Sequence, residues 1–152
     1  MIKKLLVLFG GVLTCVIIIL IGLNVYTGRQ AALYDDKAVP YIKAAIPEIS
    51  KWDKDIFYSY LSSEAKKKID QDNLVKIFEV FKKMGPLVSH EEPEFERSQP
   101  FGSVKGEEKT LVVYNVDATY ENGDALLTFT LVDGNDTLKL QYFNLQSEAL
   151  VK

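Results

Sequence analysis

Nineteen consecutive residues, Leu5 to Leu23, carry no charge, and Gly10, Gly11, Thr14, Cys15 and Gly22 are the least apolar among them. Wound as a helix, this run reaches roughly 30 Å, the thickness of a bilayer's hydrocarbon core. Tyr26 follows at a depth where an amphipathic ring favours the membrane surface. Lys3 and Lys4 precede the run, and the positive-inside tendency keeps them in the cytoplasm. The pattern predicts a transmembrane signal anchor over residues 1–26, a linker or helix extension over 27–35, and an extracytoplasmic domain over 36–152. Two other readings compete. A cleaved signal peptide has a shorter apolar region and a small-x-small site, whereas here Arg29 stands two positions before Ala31. A lipoprotein acylated at Cys15 turns polar after the cysteine, whereas here Val16-Ile17-Ile18-Ile19-Leu20 follows. The simplest role for Cys15 is a small apolar residue facing lipid.

Beyond the anchor the pattern has helical period. Val39, Ile42 and Ile46 fall on one stripe between Asp36 and Ile46. Pro40 is tolerable in a first turn, and Pro47 is expected to break the helix because it lacks a backbone donor. Trp52, Ile56, Phe57, Tyr60 and Leu61 give a second apolar face. A polar stretch from Ser62 or Ser63 holds Lys66-Lys67-Lys68, a solvated charge run. In a third helix, capped by Asp70 or Asp72, Leu74, Ile77, Phe78, Phe81 and Met84 share a face, and Gly85-Pro86 stops it.

After Gly85 the period becomes 2. Val112, Tyr114, Val116, Ala118 and Tyr120 alternate with more polar neighbours, and Asn122-Gly123 marks a hairpin turn. Ala125, Leu127, Phe129 and Leu131 alternate next, followed by a turn at Asp133-Gly134-Asn135. Leu138 and Leu140 keep the alternation, but Phe143 and Leu145 fall on the other parity. Placing all four on one face requires an extra residue, so a β-bulge is expected near Gln141-Tyr142. Leu87 to Phe101 reads as a further strand limited by Pro93 and Pro100. The predicted class is α+β: an N-terminal transmembrane helix, then about three helices packed on a bent antiparallel sheet of about four strands.

Composition changes this picture little. Lys3 and Lys4 account for two of the 18 basic groups, leaving 16 against 21 acidic ones, a charge of −5 outside the anchor. Such a domain has no electrostatic reason to seek nucleic acid. With one cysteine, no internal disulfide forms.

Three stretches carry a resemblance. They are the Trp52-Asp53 helix ending at Leu61-Ser62, the segment Phe81-Lys82-Lys83-Met84-Gly85-Pro86-Leu87, and Tyr120-Glu121-Asn122-Gly123 through Leu138 to Ser147. Over roughly residues 36–148 the chain resembles the nuclear transport factor two-like, or cystatin-like, cone fold. It is similar to membrane-tethered or secreted bacterial members of that superfamily. Members of this type often carry a tryptophan on the last strand, where this chain has Leu138. The resemblance implies fold more than function, because the cone hosts enzymes, binding modules and assembly domains alike.

Enzymes of the superfamily usually hold an Asp, Glu or His inside the cone as a general base. His90, the single histidine, sits among Ser89, Glu91 and Glu92, which reads as an exposed loop or edge-strand position. Asp117 has outward parity, and Asp53 and Asp55 read as first-turn helix acids. No catalytic residue, metal site or cofactor is assigned: one histidine and one membrane cysteine make no familiar zinc site. Asn135-Asp136-Thr137 matches a glycosylation sequon and equally a hairpin turn. Trp52, Tyr60, Phe78, Phe81, Tyr114 and Phe129 are the candidate lining of a ligand pocket in the cone, although their spacing is also that of core. Leu126, Thr128, Thr130 and Val132 lie on the outer parity of one strand and suit a protein partner or a second copy. The sequence thus predicts a non-catalytic, membrane-tethered binding or assembly domain of the cell envelope. The alternative is a small-molecule binder or enzyme using the apolar interior of the cone.

Overall fold

The computed structural model describes residues 2–104, 107–134 and 137–151. Side chains of residues 103–108 and, within 2–27, all but those of Val16 and Ile18 lie outside the description. Four helices pack on a five-stranded antiparallel sheet, an α+β fold.

The first helix, α1 (Ile2–Ile49), runs 48 residues. The linker considered for 27–35 is its continuation, and neither Pro40 nor Pro47 interrupts it. This corrects the expected break at Pro47, and the burial pattern gives the reason. Both prolines are exposed, while Ala38, Ile42, Ala45, Ile46 and Ile49 form the buried stripe. The carbonyls that the prolines leave without donors therefore face water, so each costs one helix bond and no unsolvated acceptor. Pro47 also stands close to the helix end. Ser50 N–H still reaches the Ile46 carbonyl at 2.9 Å before the turn tightens through Lys51 and Trp52. Among the described residues no helix is long and apolar enough to cross a membrane. The expected anchor, residues 5–23, rests on side chains outside the described residues apart from Val16 and Ile18, which are 46% and 63% exposed.

Each of the next three helices starts at a side-chain cap. Asp53 caps α2 (Lys54–Tyr60), accepting from the Asp55 and Ile56 N–H groups. Ser62 caps α3 (Ser63–Lys68), so the polar stretch with its lysine run is itself a short helix. Asp70 caps α4 (Gln71–Phe81), which passes through a 3₁₀ turn, Lys82–Met84, to Gly85 at φ 75°. Ser62 is 3% exposed. Its hydroxyl donates to the Gln141 side-chain oxygen at 2.5 Å while accepting from the Ala65 N–H, and its own N–H reaches the Leu140 carbonyl at 2.8 Å. Ser62→Ala removes a cap and orphans a partly buried amide. It should cost about 1–3 kcal/mol, read as a lower urea midpoint with unchanged slope.

The sheet runs β1 (Leu87–His90), β3 (Glu107–Tyr120), β4 (Gly123–Gly134), β5 (Thr137–Gln146), with β2 (Glu94–Val104) also paired to β3. The single strand expected over 87–101 is thus two, giving five strands where about four were expected. β1 pairs with the end of β3 at Ala118–Tyr120, and β2 with its earlier part, Glu107 to Asn115. Pro93 falls in the break between them, but Pro100 lies inside β2. An edge strand tolerates it, since no neighbour needs its missing donor.

The bulge is where the parity jump put it. Thr130 pairs with Tyr142 and Leu131 with Leu140, leaving Gln141 as the extra residue. Leu138, Leu140 and Leu145 are buried, and Phe143 packs against the same core. The first hairpin differs by one residue: Tyr120 pairs with Gly123, so the loop is Glu121-Asn122. Gly123 opens β4 at φ 151°, where an added Cβ would stand 3.0 Å from the Ala149 Cβ. The turn expected at 133–135 falls partly on residues 135–136, outside the described residues; Gly134 pairs with Thr137 across it.

Candidate functional site

The chain order α2–α3–α4 brings three short helices against β5, the terminal strand of the sheet. Their backbone joins β5 at Leu140. Leu61 bridges Leu140 in parallel and the Ser62 N–H bonds to the Leu140 carbonyl. The bulge at Gln141 follows directly. The space left between α4 and Tyr142–Asn144 is a cleft of about 550 Å³.

Its floor is apolar. Phe57, Leu61, Leu74 and Phe78 are buried, Phe57 meeting Phe78 edge-on at 5.2 Å between ring centroids. Phe143 closes the β5 side, 6.0 Å from Phe57 and 6.5 Å from Phe81. Ile77, 47% exposed, forms the α4 lip, and Tyr142, 61% exposed, the opposite one. The rim is polar, with Lys68, Asp70, Asn73, Gln141 and Asn144. Asp70 is committed to its helix: one carboxylate oxygen accepts the Asp72 and Asn73 N–H groups, the other the Asn73 amide. Gln141 is committed to Ser62. Lys68 has no partner among the described residues.

The six aromatics singled out from the sequence divide here. Phe78 and Phe81 line the cleft. Trp52 stands behind them, its ring centroid 6.0 and 5.2 Å from theirs and 5.9 Å from that of Tyr120. Phe129 stands behind Phe143 at 5.1 Å. Tyr60 and Tyr114 lie elsewhere. Tyr60 meets the Tyr41 ring edge-on at 6.0 Å, and the Tyr41 hydroxyl donates to its carbonyl. Tyr114, fully buried, donates to Asp35 of α1 at 2.7 Å. Burial drives the Tyr114 pKa far upward, and the Asp35 carboxylate adds to it by preferring a neutral donor. Of the six, Phe78 and Phe81 are thus the ones that line this cleft, which lies beside β5. Sequence reasoning missed Phe57, Leu74, Ile77 and Phe143 as lining residues. For Leu74 and Ile77 the available signal was their place on the apolar stripe of α4 beside Phe78 and Phe81.

A second depression, about 440 Å³ and more open, lies at the far end of the sheet. His90 ends β1 there, its Nδ1 2.8 Å from the Glu91 carbonyl. Asp117, Asp124 and Glu148 share the depression. Asp124 accepts from the Thr119 hydroxyl, and its carbonyl accepts from Ser147. Among the described residues no group of three or more His, Cys, Asp or Glu side chains is placed to hold a metal ion. Compared with known proteins, the chain matches no family model and no curated protein.

Proposed function

We propose that this chain is a membrane-tethered, extracytoplasmic binding domain of the nuclear transport factor two-like type, anchored through residues 5–23 and taking its ligand in the cleft between α4 and β5. The observation that carries the binding reading is the cleft itself. Its volume of about 550 Å³ falls within the range of small-molecule sites, and it combines an apolar floor with few polar groups at the rim. The outer face of β4 offers less, since Leu126, Thr128 and Thr130 are half-buried and Val132 is buried.

The tether is supported by the uncharged run itself and by the continuity of α1. The helix that lays Ile42 and Ile46 on the sheet is the one that contains residues 5–23. A helix needs no linker to leave a bilayer, because its backbone bonds are internal. Fractionation with N-terminal sequencing tests this. The full-length chain is expected in the membrane fraction, resistant to alkaline carbonate. A mature N-terminus beyond Leu23, or release by carbonate, would reject the anchor.

A further inference from the structure

We infer that the cleft binds a single-chain lipid with an anionic head, the chain lying along Ile77, Phe78, Phe81 and Phe143 and the head meeting Lys68. This rests on the binding reading above and names the ligand class for that site. Two features argue for it. The first is shape and lining. The cleft lies between α2, α3 and α4 on one side and β5 on the other, and its floor of aromatic and aliphatic side chains suits a hydrocarbon chain. The second is charge. Of the two charged side chains at the rim, Asp70 spends both carboxylate oxygens on backbone and amide donors at the start of α4. Lys68 ends α3 exposed, with no partner among the described residues. The neighbouring Lys66 lies over the Tyr58 ring instead, 5.1 Å from its centroid. Asp70 keeps its negative charge but its oxygens are taken up by donors at the start of α4, so the Lys68 ammonium is the rim charge without a partner among the described residues. Beside an apolar floor it is complementary to an amphiphile whose head is a carboxylate or phosphate. The Asn73 and Asn144 amides at the same rim can complete the head's hydrogen bonds.

The molecule carries its own probe. Trp52 is its single tryptophan and packs directly behind Phe78 and Phe81. A bromine atom on a chain lying in the cleft would quench its fluorescence by short-range contact. Bromolipid dissolved in the bilayer would stay too far away to do so. The experiment uses the full chain in phosphatidylcholine vesicles, titrated with a brominated fatty acid, its methyl ester and a brominated lysophosphatidate. Saturable quenching is expected, with at least one anionic lipid acting at roughly tenfold lower concentration than the ester, the worth of one charge-assisted bond. Lys68→Glu should abolish that tenfold difference while quenching by the ester remains. Ile77→Asp, at a half-exposed position, should remove quenching by all three with the circular dichroism spectrum unchanged. If acid, lysophosphatidate and ester quench alike in the unaltered chain, the anionic head is wrong although the cleft still binds. If none quenches, the cleft takes no such chain and the lipid inference is overturned, while the binding reading, which names no ligand class, is not decided by it.

Discussion

Replacing Trp52 with alanine should lower the stability of the folded domain by about 3–5 kcal/mol, enough to leave a marginal domain partly unfolded. The side chain is 5% exposed and touches Phe78, Phe81 and Tyr120, so one ring ties the end of α1 to α4 and β3. Two details make the expectation sharper. Trp52 sits at φ 52°, the left-handed region, where any Cβ costs roughly 1–2 kcal/mol. Trp52→Gly should therefore be no less stable than Trp52→Ala, reversing the usual order for these two residues. The indole Nε1 is buried without a hydrogen-bond partner among the described residues. Trp52→Phe loses that orphan donor and keeps most of the contact, so it should cost less than half as much as alanine. Urea denaturation followed by circular dichroism measures all three. A Trp52→Ala midpoint equal to that of the unaltered chain would contradict the packing.

Alkali should unfold this domain early. Tyr41, Tyr114 and Tyr120 all have their pKa values raised, in each case first by burial. Tyr41 is pushed up to about 12. For Tyr120 the Ser50 hydroxyl, 2.8 Å away, offsets part of the shift, and for Tyr41 the Leu140 backbone does so. In the unfolded chain each tyrosine ionises near about 10. A raised folded value means that the neutral form is favoured in the native state. The stability this contributes is whole below about pH 10 and is lost as pH rises toward the folded values. Each tyrosine that ionises only on unfolding steepens the loss by about 1.4 kcal/mol per pH unit. Urea midpoints should thus fall steeply between about pH 10 and 12. Tyr114→Phe should flatten that fall by about one proton, while lowering stability at neutral pH because Asp35 loses its donor. A midpoint constant across that window would mean that these hydroxyls are solvated.

Much of the β structure was legible in the sequence because a strand's period is 2 and any slip changes which face is apolar. The jump from Leu140 to Phe143 could be satisfied only by an extra residue, and Gln141 is that residue. The cap of α4 was legible only as a choice between Asp70 and Asp72, and Asp70 takes it, accepting from the Asp72 and Asn73 N–H groups. Pro47 misled because its cost depends on exposure, which periodicity gives only if the stripe is extended to Ala45 and Ile49. The hairpin register was off by one, since Gly123 is demanded by its φ and by Ala149, a residue far along the chain, and not by the turn alone. Pro100 suggested a strand limit, yet an edge position made it harmless.

The cleft was the least legible feature. It lies where Leu61 and Ser62 dock on Leu140 and the bulge at Gln141 follows, a tertiary arrangement that no local pattern encodes. The aromatic list from the sequence captured the packing behind the cleft, with Trp52 and Phe129, and two of its walls, Phe78 and Phe81. Of the residues on its lips, Ile77 reads from the sequence as part of the apolar face of the third helix and Tyr142 as part of the expected bulge, and neither reading points to an opening.

Tyr142 also provides the most direct test of a tethered domain whose cleft faces the outside of the cell. Cys15 is the chain's single cysteine, so Cys15→Ser combined with Tyr142→Cys leaves one thiol, on the lip of the cleft. Intact cells are treated with a membrane-impermeant maleimide and the protein is recovered from the membrane fraction. The account predicts labelling without lysis, and protection of the thiol when brominated fatty acid is added first. Labelling that requires the membrane to be broken would place the domain in the cytoplasm and contradict the account.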